Sequence, residues 1–157
     1  DETLLSLLWL NSDLNTKEVG NRLQQELELP IQFFNEDNVC SEYIHSNNTR
    51  DILLILSGDN IRNFISIVYT LPRLHSIYIY CSDDNLQFLK SWSESYNKVQ
   101  GVFSTEERLL FKLAIDVSLY RTEKGDDHYR TGNTQLADKN YQSSQNLYVK
   151  MIKYLNT

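Results

Sequence analysis

The sequence predicts an α/β fold: a five-stranded parallel sheet, doubly wound by helices, followed by a C-terminal helical hairpin. Two observations carry this. Three apolar bursts, Asp51-Ile-Leu-Leu-Ile-Leu, Ser76-Ile-Tyr-Ile-Tyr and Val99-Gln-Gly-Val-Phe, stop at Ser57-Gly58-Asp59, Cys81-Ser82-Asp83-Asp84 and Ser104-Thr105-Glu106-Glu107, and a helical pattern follows each. Short apolar strands that hand over to polar, helix-capping residues are how parallel strands look in a doubly wound sheet. The strand–helix alternation also repeats five times with short connections. Right-handed crossovers then put helices on both faces of one sheet, and the flavodoxin-like order 2-1-3-4-5 is the usual solution.

The elements follow in order. Residues 4–10 form the first strand, with Trp9 inside it, and Asn11-Ser12-Asp13 ends it. Val19, Leu23 and Leu27 recur at i+4 in a helix starting at Thr16, and Pro30 stops it. Residues 31–34 make a short strand near an edge. Asn35-Glu36-Asp37 caps a helix carrying Val39, Cys40, Tyr43 and Ile44, and Asn47-Asn48-Thr49 is a turn. The third strand, 52–56, is apolar at every position, as a central strand covered on both faces should be. Asp59 or Asn60 caps a helix with the stripe Ile61, Phe64, Ile65, Val68, which Pro72 ends. Residues 77–80 are the fourth strand. Asp83 or Asp84 caps a helix with Leu86, Leu89, Trp92 and Tyr96. Residues 99–103 are the fifth strand, and a helix with Leu109, Leu110, Leu113 and Val117 begins at Thr105.

Composition sets limits. The chain has 157 residues, 41% of them hydrophobic and 18 aromatic, enough for one core and an appendage. Five Gly and two Pro leave no long flexible linker. A net charge of −6 argues against nonspecific binding to nucleic acid or to an anionic membrane, both of which want a basic face. No apolar run reaches membrane-spanning length. The opening Asp1-Glu2-Thr3 has neither Met nor a basic leader region, so the sequence reads as a fragment of a larger protein without a signal peptide. Cys40 and Cys81 follow no metal spacing and read as free thiols, which with the acidic charge suggests the cytoplasm.

Glu123-Lys-Gly125-Asp-Asp127 reads as a polar hinge, dividing a sheet domain (1–121) from a helical hairpin (122–157). In the hairpin, Gly132, Tyr141, Ser144, Tyr148 and Met151 fall at offsets of 9, 3, 4 and 3. That spacing resembles the tetratricopeptide repeat, where a small residue of one helix packs against the next and aromatics fill the groove. The match is partial: Ser stands where Ala is usual, and only one copy is present.

Active sites of this fold lie at the carboxyl rim of the sheet, so the strand ends can be tested chemistry by chemistry. Phosphoacceptor chemistry needs an Asp after strand 3, an acidic pair after strand 1 for Mg²⁺, and a Lys after strand 5. The chain offers Ser57-Gly58, Asp13 alone, and Ser104, with Lys98 at the wrong end of its strand. Cys81 has no His at the end of strand 3 to activate it, since His75 precedes strand 4 and His45 and His128 lie elsewhere. Ser57-Gly58-Asp59 is not a G-x-S-x-G elbow, and no G-x-G-x-x-G or P-loop is present. Glu42 and Glu94 are helical candidates for an NAD-cleaving glutamate but lack a local signature. The remaining rim candidates are Asp13, Ser57, Gly58, Asp59 and Asp83, which suit a cation or small ligand; otherwise each acidic residue caps its own helix. The tail tyrosines Tyr129, Tyr141, Tyr148 and Tyr154, with little charge among them, are candidates for a partner surface.

The strings Leu8-Trp9-Leu10-Asn11, Ile55-Leu56-Ser57-Gly58, Leu71-Pro72-x-Leu74-x-Ser76-Ile77-Tyr78-Ile79-Tyr80-Cys81 and Lys98-Val99-x-Gly101-Val102-Phe103, taken together, resemble an N-terminal receiver-like domain of bdelloid rotifer multidomain proteins. The resemblance spans roughly residues 4–120. It implies tetratricopeptide or kinesin-light-chain-like repeats, or an arginine ADP-ribosyltransferase domain, further along such a protein, and it names no catalytic residue. The expectation is a non-catalytic receiver-like module, without a cofactor, that binds a protein partner. The alternative is a regulatory domain of an ADP-ribosylating or NAD-consuming enzyme that binds a small ligand or cation at the rim.

Overall fold

The computed structural model describes residues 5–155 except Ser12 and Asn48. Five strands alternate with helices: β1 (Leu5–Leu10), α1 (Leu14–Leu27), β2 (Ile31–Phe34), α2 (Asp37–Ser46), β3 (Asp51–Leu56), α3 (Ile61–Val68), β4 (Leu74–Tyr80), α4 (Asp83–Ser93), β5 (Val99–Phe103), then α5 (Glu106–Arg130) and α6 (Thr134–Leu155). Every pairing is parallel and the order is β2-β1-β3-β4-β5. The α/β flavodoxin-like architecture is therefore present, with β3 beside β1 at the point where the strand order reverses. Leu4 of the first expected strand lies outside the described residues, as do Ser12 of the cap and Asn48 of the expected turn.

Alternation along the strands divides the interior. Leu8, Leu10, Ile52, Leu54, Leu56, Ile77 and Ile79 share one apolar cluster with Cys40 and Ile44 of α2, the α3 stripe Ile61, Phe64, Ile65 and Val68, and Leu89 of α4. The intervening residues Leu7, Trp9, Leu53, Ile55 and Tyr78 are buried as well. A strand buried on both sides has no place for polar residues, which is why β3 reads as an unbroken apolar run. Gly20 of α1 lets that helix approach closely: a Cβ there would lie 2.6 Å from the Phe33 ring and 3.2 Å from Trp9. Arg22 of α1 holds Glu106, the first residue of α5, through Nε at 2.8 Å and Nη2 at 2.7 Å.

Several boundaries differ from the sequence expectation. β4 begins at Leu74, not residue 77, because Leu74 pairs with Ile52 and is buried despite the polar His75-Ser76 that follows it. α1 starts at Leu14, capped by Asp13. The larger correction concerns the expected hinge. Residues 123–127 are interior to α5, which runs unbroken for 25 residues. Gly125 is the poorest helix former there, and one interior Gly costs only about 1 kcal/mol. Its missing Cβ makes room for Tyr141, whose ring would otherwise lie 2.6 Å from it. The chain divides into two compact units between Leu109 and Leu110, inside α5 and ahead of the expected boundary at 121.

In the second unit α5 and α6 form a hairpin. Gly132, at φ 86°, ends α5: its N–H donates to the Tyr129 carbonyl at 3.1 Å, and the Asn133 N–H to the His128 carbonyl at 2.8 Å. These two bonds make a Schellman motif. Asn133 then caps α6 by accepting from the Leu136 N–H at 3.2 Å. Gly132 thus sits in the turn with nothing near its would-be Cβ, and Gly125 is the small residue at the helix crossing. Ser144 Oγ donates to the Ser118 carbonyl at 2.8 Å and shares a hydrogen bond with Thr122 Oγ1, also 2.8 Å. Thr122 Oγ1 lies 3.0 Å from the same carbonyl; with two hydroxyl protons for these three contacts, only two of them are hydrogen bonds at any moment.

Cys40 makes the fold sensitive to alkali. Burial, with the Asp37 charge adding to it, pushes its thiol up to about 12 from an ordinary 9.0. Below pH 9 the thiol is neutral in both folded and unfolded chains. Above it the unfolded chain releases the proton first, so stability falls as pH rises from 9 towards 12, by up to about 1.4 kcal/mol per pH unit for one such group. Urea denaturation across that range should show this decline, and Cys40→Ala should be less stable at neutral pH but lose stability less steeply.

Candidate functional site

The carboxyl rim is built around Trp9. Its indole lies at 0% exposure, edge-on to Tyr80 with centroids 5.8 Å apart and stacked on Phe33 at 6.3 Å. A buried indole N–H needs an acceptor. Ser57, at the end of the adjacent β3, supplies it: Trp9 Nε1 donates to Ser57 Oγ at 2.9 Å, and Ser57 Oγ donates onward to the Asn11 carbonyl at 3.0 Å. The hydroxyl is engaged as both acceptor and donor, and Ser57 is 4% exposed.

Gly58 follows with φ 96°, in the left-handed region. A Cβ there would come within 3.0 Å of the Asn11 Cβ, so the Asn11 side chain lies directly on the Gly58 backbone. Asn11 itself adopts φ 67°, which an Asn tolerates better than most residues. Its amide donates to Asp37 Oδ1 at 3.3 Å, while Asn60 Nδ2 donates to the other oxygen of the same carboxylate. Asp37 thereby joins the starts of α2 and α3 to the end of β1.

The other rim candidates are dispersed in role. Asp13 is exposed and accepts the Thr16 N–H at 2.9 Å. That backbone hydrogen bond holds its carboxyl below the usual carboxylate range. Asp59 is exposed in the turn before α3, whose cap residue is Asn60. Asp83 lies exposed in the first turn of α4, and the cap residue is Ser82, not Asp83 or Asp84. Among the described residues no three His, Cys, Asp or Glu side chains form a group that could hold a metal ion, so a cation shared by Asp13, Asp59 and Asp83 finds no ready-made cage. Glu42 and Glu94 are exposed, Glu94 at the end of α4.

Cys81 follows the carboxyl end of β4, and burial, with Asp83 adding to it, pushes its thiol up. An activated nucleophile needs the opposite shift. His75 stands near the other end of the same strand, its Nδ1 2.9 Å from Ser76 Oγ. Lys98 Nζ donates to the Leu71 carbonyl at 2.9 Å, in the turn between α3 and β4, and takes no part in the rim.

The hairpin carries a second concavity. A groove of about 150 Å³ runs between α5 and α6, walled by Phe111 and Ile115 on one side and by Tyr148, Ile152 and Leu155 on the other. Of the four tyrosines, only Tyr148 lines it. Tyr129 is exposed near the hairpin turn. Tyr141 fills the Gly125 notch and donates its hydroxyl to Asp126, which pushes its pKa up to about 12. Tyr154 is 48% exposed and does not line the groove. The α5 stripe expected from the sequence, Leu109, Leu110, Leu113 and Val117, does not include the groove wall. The signal was the i, i+4 pairs Phe111/Ile115 and Tyr148/Ile152. A larger cleft of about 660 Å³ lies at the amino ends of β1 and β2, lined by Leu5, Pro30, Gln32, Tyr43 and Arg50 among others. It is at the edge of the sheet opposite the rim.

No protein-family model, curated protein or solved structure matches the chain. The class is set by the structure itself: an α/β protein with a flavodoxin-like parallel sheet and a C-terminal helical hairpin. Among the described residues no helix is long and apolar enough to cross a membrane.

Two substitutions test the rim. Ser57→Ala leaves the Trp9 N–H without its acceptor and should cost about 1–3 kcal/mol, read as a lower urea midpoint with unchanged slope. Gly58→Ala puts a Cβ against Asn11 in a left-handed backbone and should cost about 1–3 kcal/mol in the same measurement.

Proposed function

We propose that this chain is a non-catalytic, receiver-like protein-interaction and scaffolding module whose partner lays a helix along the α5–α6 groove. The observation that carries the proposal is the state of the rim. In an open α/β sheet, ligands bind in the crevice where strand order reverses, which here is the β1–β3 junction. Asn11 packs onto Gly58 there, and Ser57, where phosphotransfer needs a carboxylate, is buried and engaged by Trp9 and the Asn11 carbonyl. Cys81 and the rim carboxylates supply neither an activated nucleophile nor a metal cluster among the described residues.

The groove supports the second half of the proposal. Two antiparallel helices leave a furrow into which a third helix packs by ridges and grooves, and peptide helices dock in such furrows through apolar residues at i, i+3 or i+4 spacing. Tyr148 at 60%, Ile152 at 41% and Leu155 at 67% exposure are large apolar side chains turned to solvent beside it. Protein binding, the tetratricopeptide-like character of the hairpin and a cytoplasmic setting belong to this proposal together.

The test is affinity capture with the whole chain and with a Tyr148→Ala/Ile152→Glu variant whose circular dichroism matches wild type. The captured protein is purified and titrated against both. The variant should bind at least about tenfold more weakly, the loss expected when interface anchors are removed. Equal affinity would overturn the groove as the docking surface. Turnover of a phosphodonor, NAD or peptide by the purified chain would overturn its non-catalytic character.

A further inference from the structure

We draw no further inference here: the strongest candidate, the apolar groove between α5 and α6 walled by Phe111, Ile115, Tyr148, Ile152 and Leu155, belongs to the site already described, and nothing in the structure shows which particular occupant covers it.

Discussion

A tryptophan in the middle of a parallel sheet imposes a polar obligation on an otherwise apolar interior. Trp9 is fully buried, and its N–H has to be met by something within the two adjacent strands. Ser57 meets it from β3 and passes the hydrogen bond to the Asn11 carbonyl, so the end of β1 and the end of β3 are joined by side chain as well as by the backbone bond from Ser57 N–H to the Leu10 carbonyl at 3.2 Å. The rest of the rim follows. With Asn11 held at that place its side chain rests on residue 58, which must then be Gly, and its amide reaches Asp37 and through it Asn60. One buried donor thus organises the starts of α2 and α3 as well as the strand ends.

The same arrangement separates this rim from an acceptor rim by more than one residue. A carboxylate in place of Ser57 would accept from the indole, but it would also turn an oxygen towards the Asn11 carbonyl, acceptor against acceptor, in a site shielded from water. Phosphoacceptor chemistry would require Asn11, Gly58 and Trp9 to be rearranged together. Of the polar residues just past the strands, Asp13 caps α1, and Asp37 bridges Asn11 and Asn60.

Much of the architecture is written in short-range pattern. Ile52–Leu56 is apolar at consecutive positions because both faces are covered, and the polar residues past each strand mark where helices start, so the five strands and their alternation with helices can be read from the chain, while the strand order rests on the pairings themselves. What escapes reading is set by contacts between distant residues. Gly125 with its acidic neighbours has the composition of a hinge, and only Tyr141, 16 positions later, explains why a glycine belongs inside a helix. Ser57 has the look of a cap, and its partner is Trp9, 48 residues away. Leu74 is followed by His75 and Ser76, which hide a strand start that pairing with Ile52 makes plain. At the hairpin, the buried Leu113 and Val117 and the groove-wall residues Phe111 and Ile115 lie on the same helix, and periodicity alone does not tell the two sets apart.

The hydroxyls between α5 and α6 have a consequence for anything that meets the hairpin. Ser118, Thr122 and Ser144 are joined at one level of the crossing, and the Tyr141 ring sits in the Gly125 notch one to two turns along. An apolar seam would tolerate sliding by one helical turn, since one aliphatic contact replaces another. Here a slide would strand buried hydroxyls and drive Tyr141 into a residue with a Cβ. The hairpin is keyed to a single register, and the furrow's shape is set before any ligand arrives. For a helix docking there as proposed, such preorganisation would remove part of the ordering entropy that association otherwise has to overcome, and it would favour partners that fit the furrow as it stands over those that would need it to adjust.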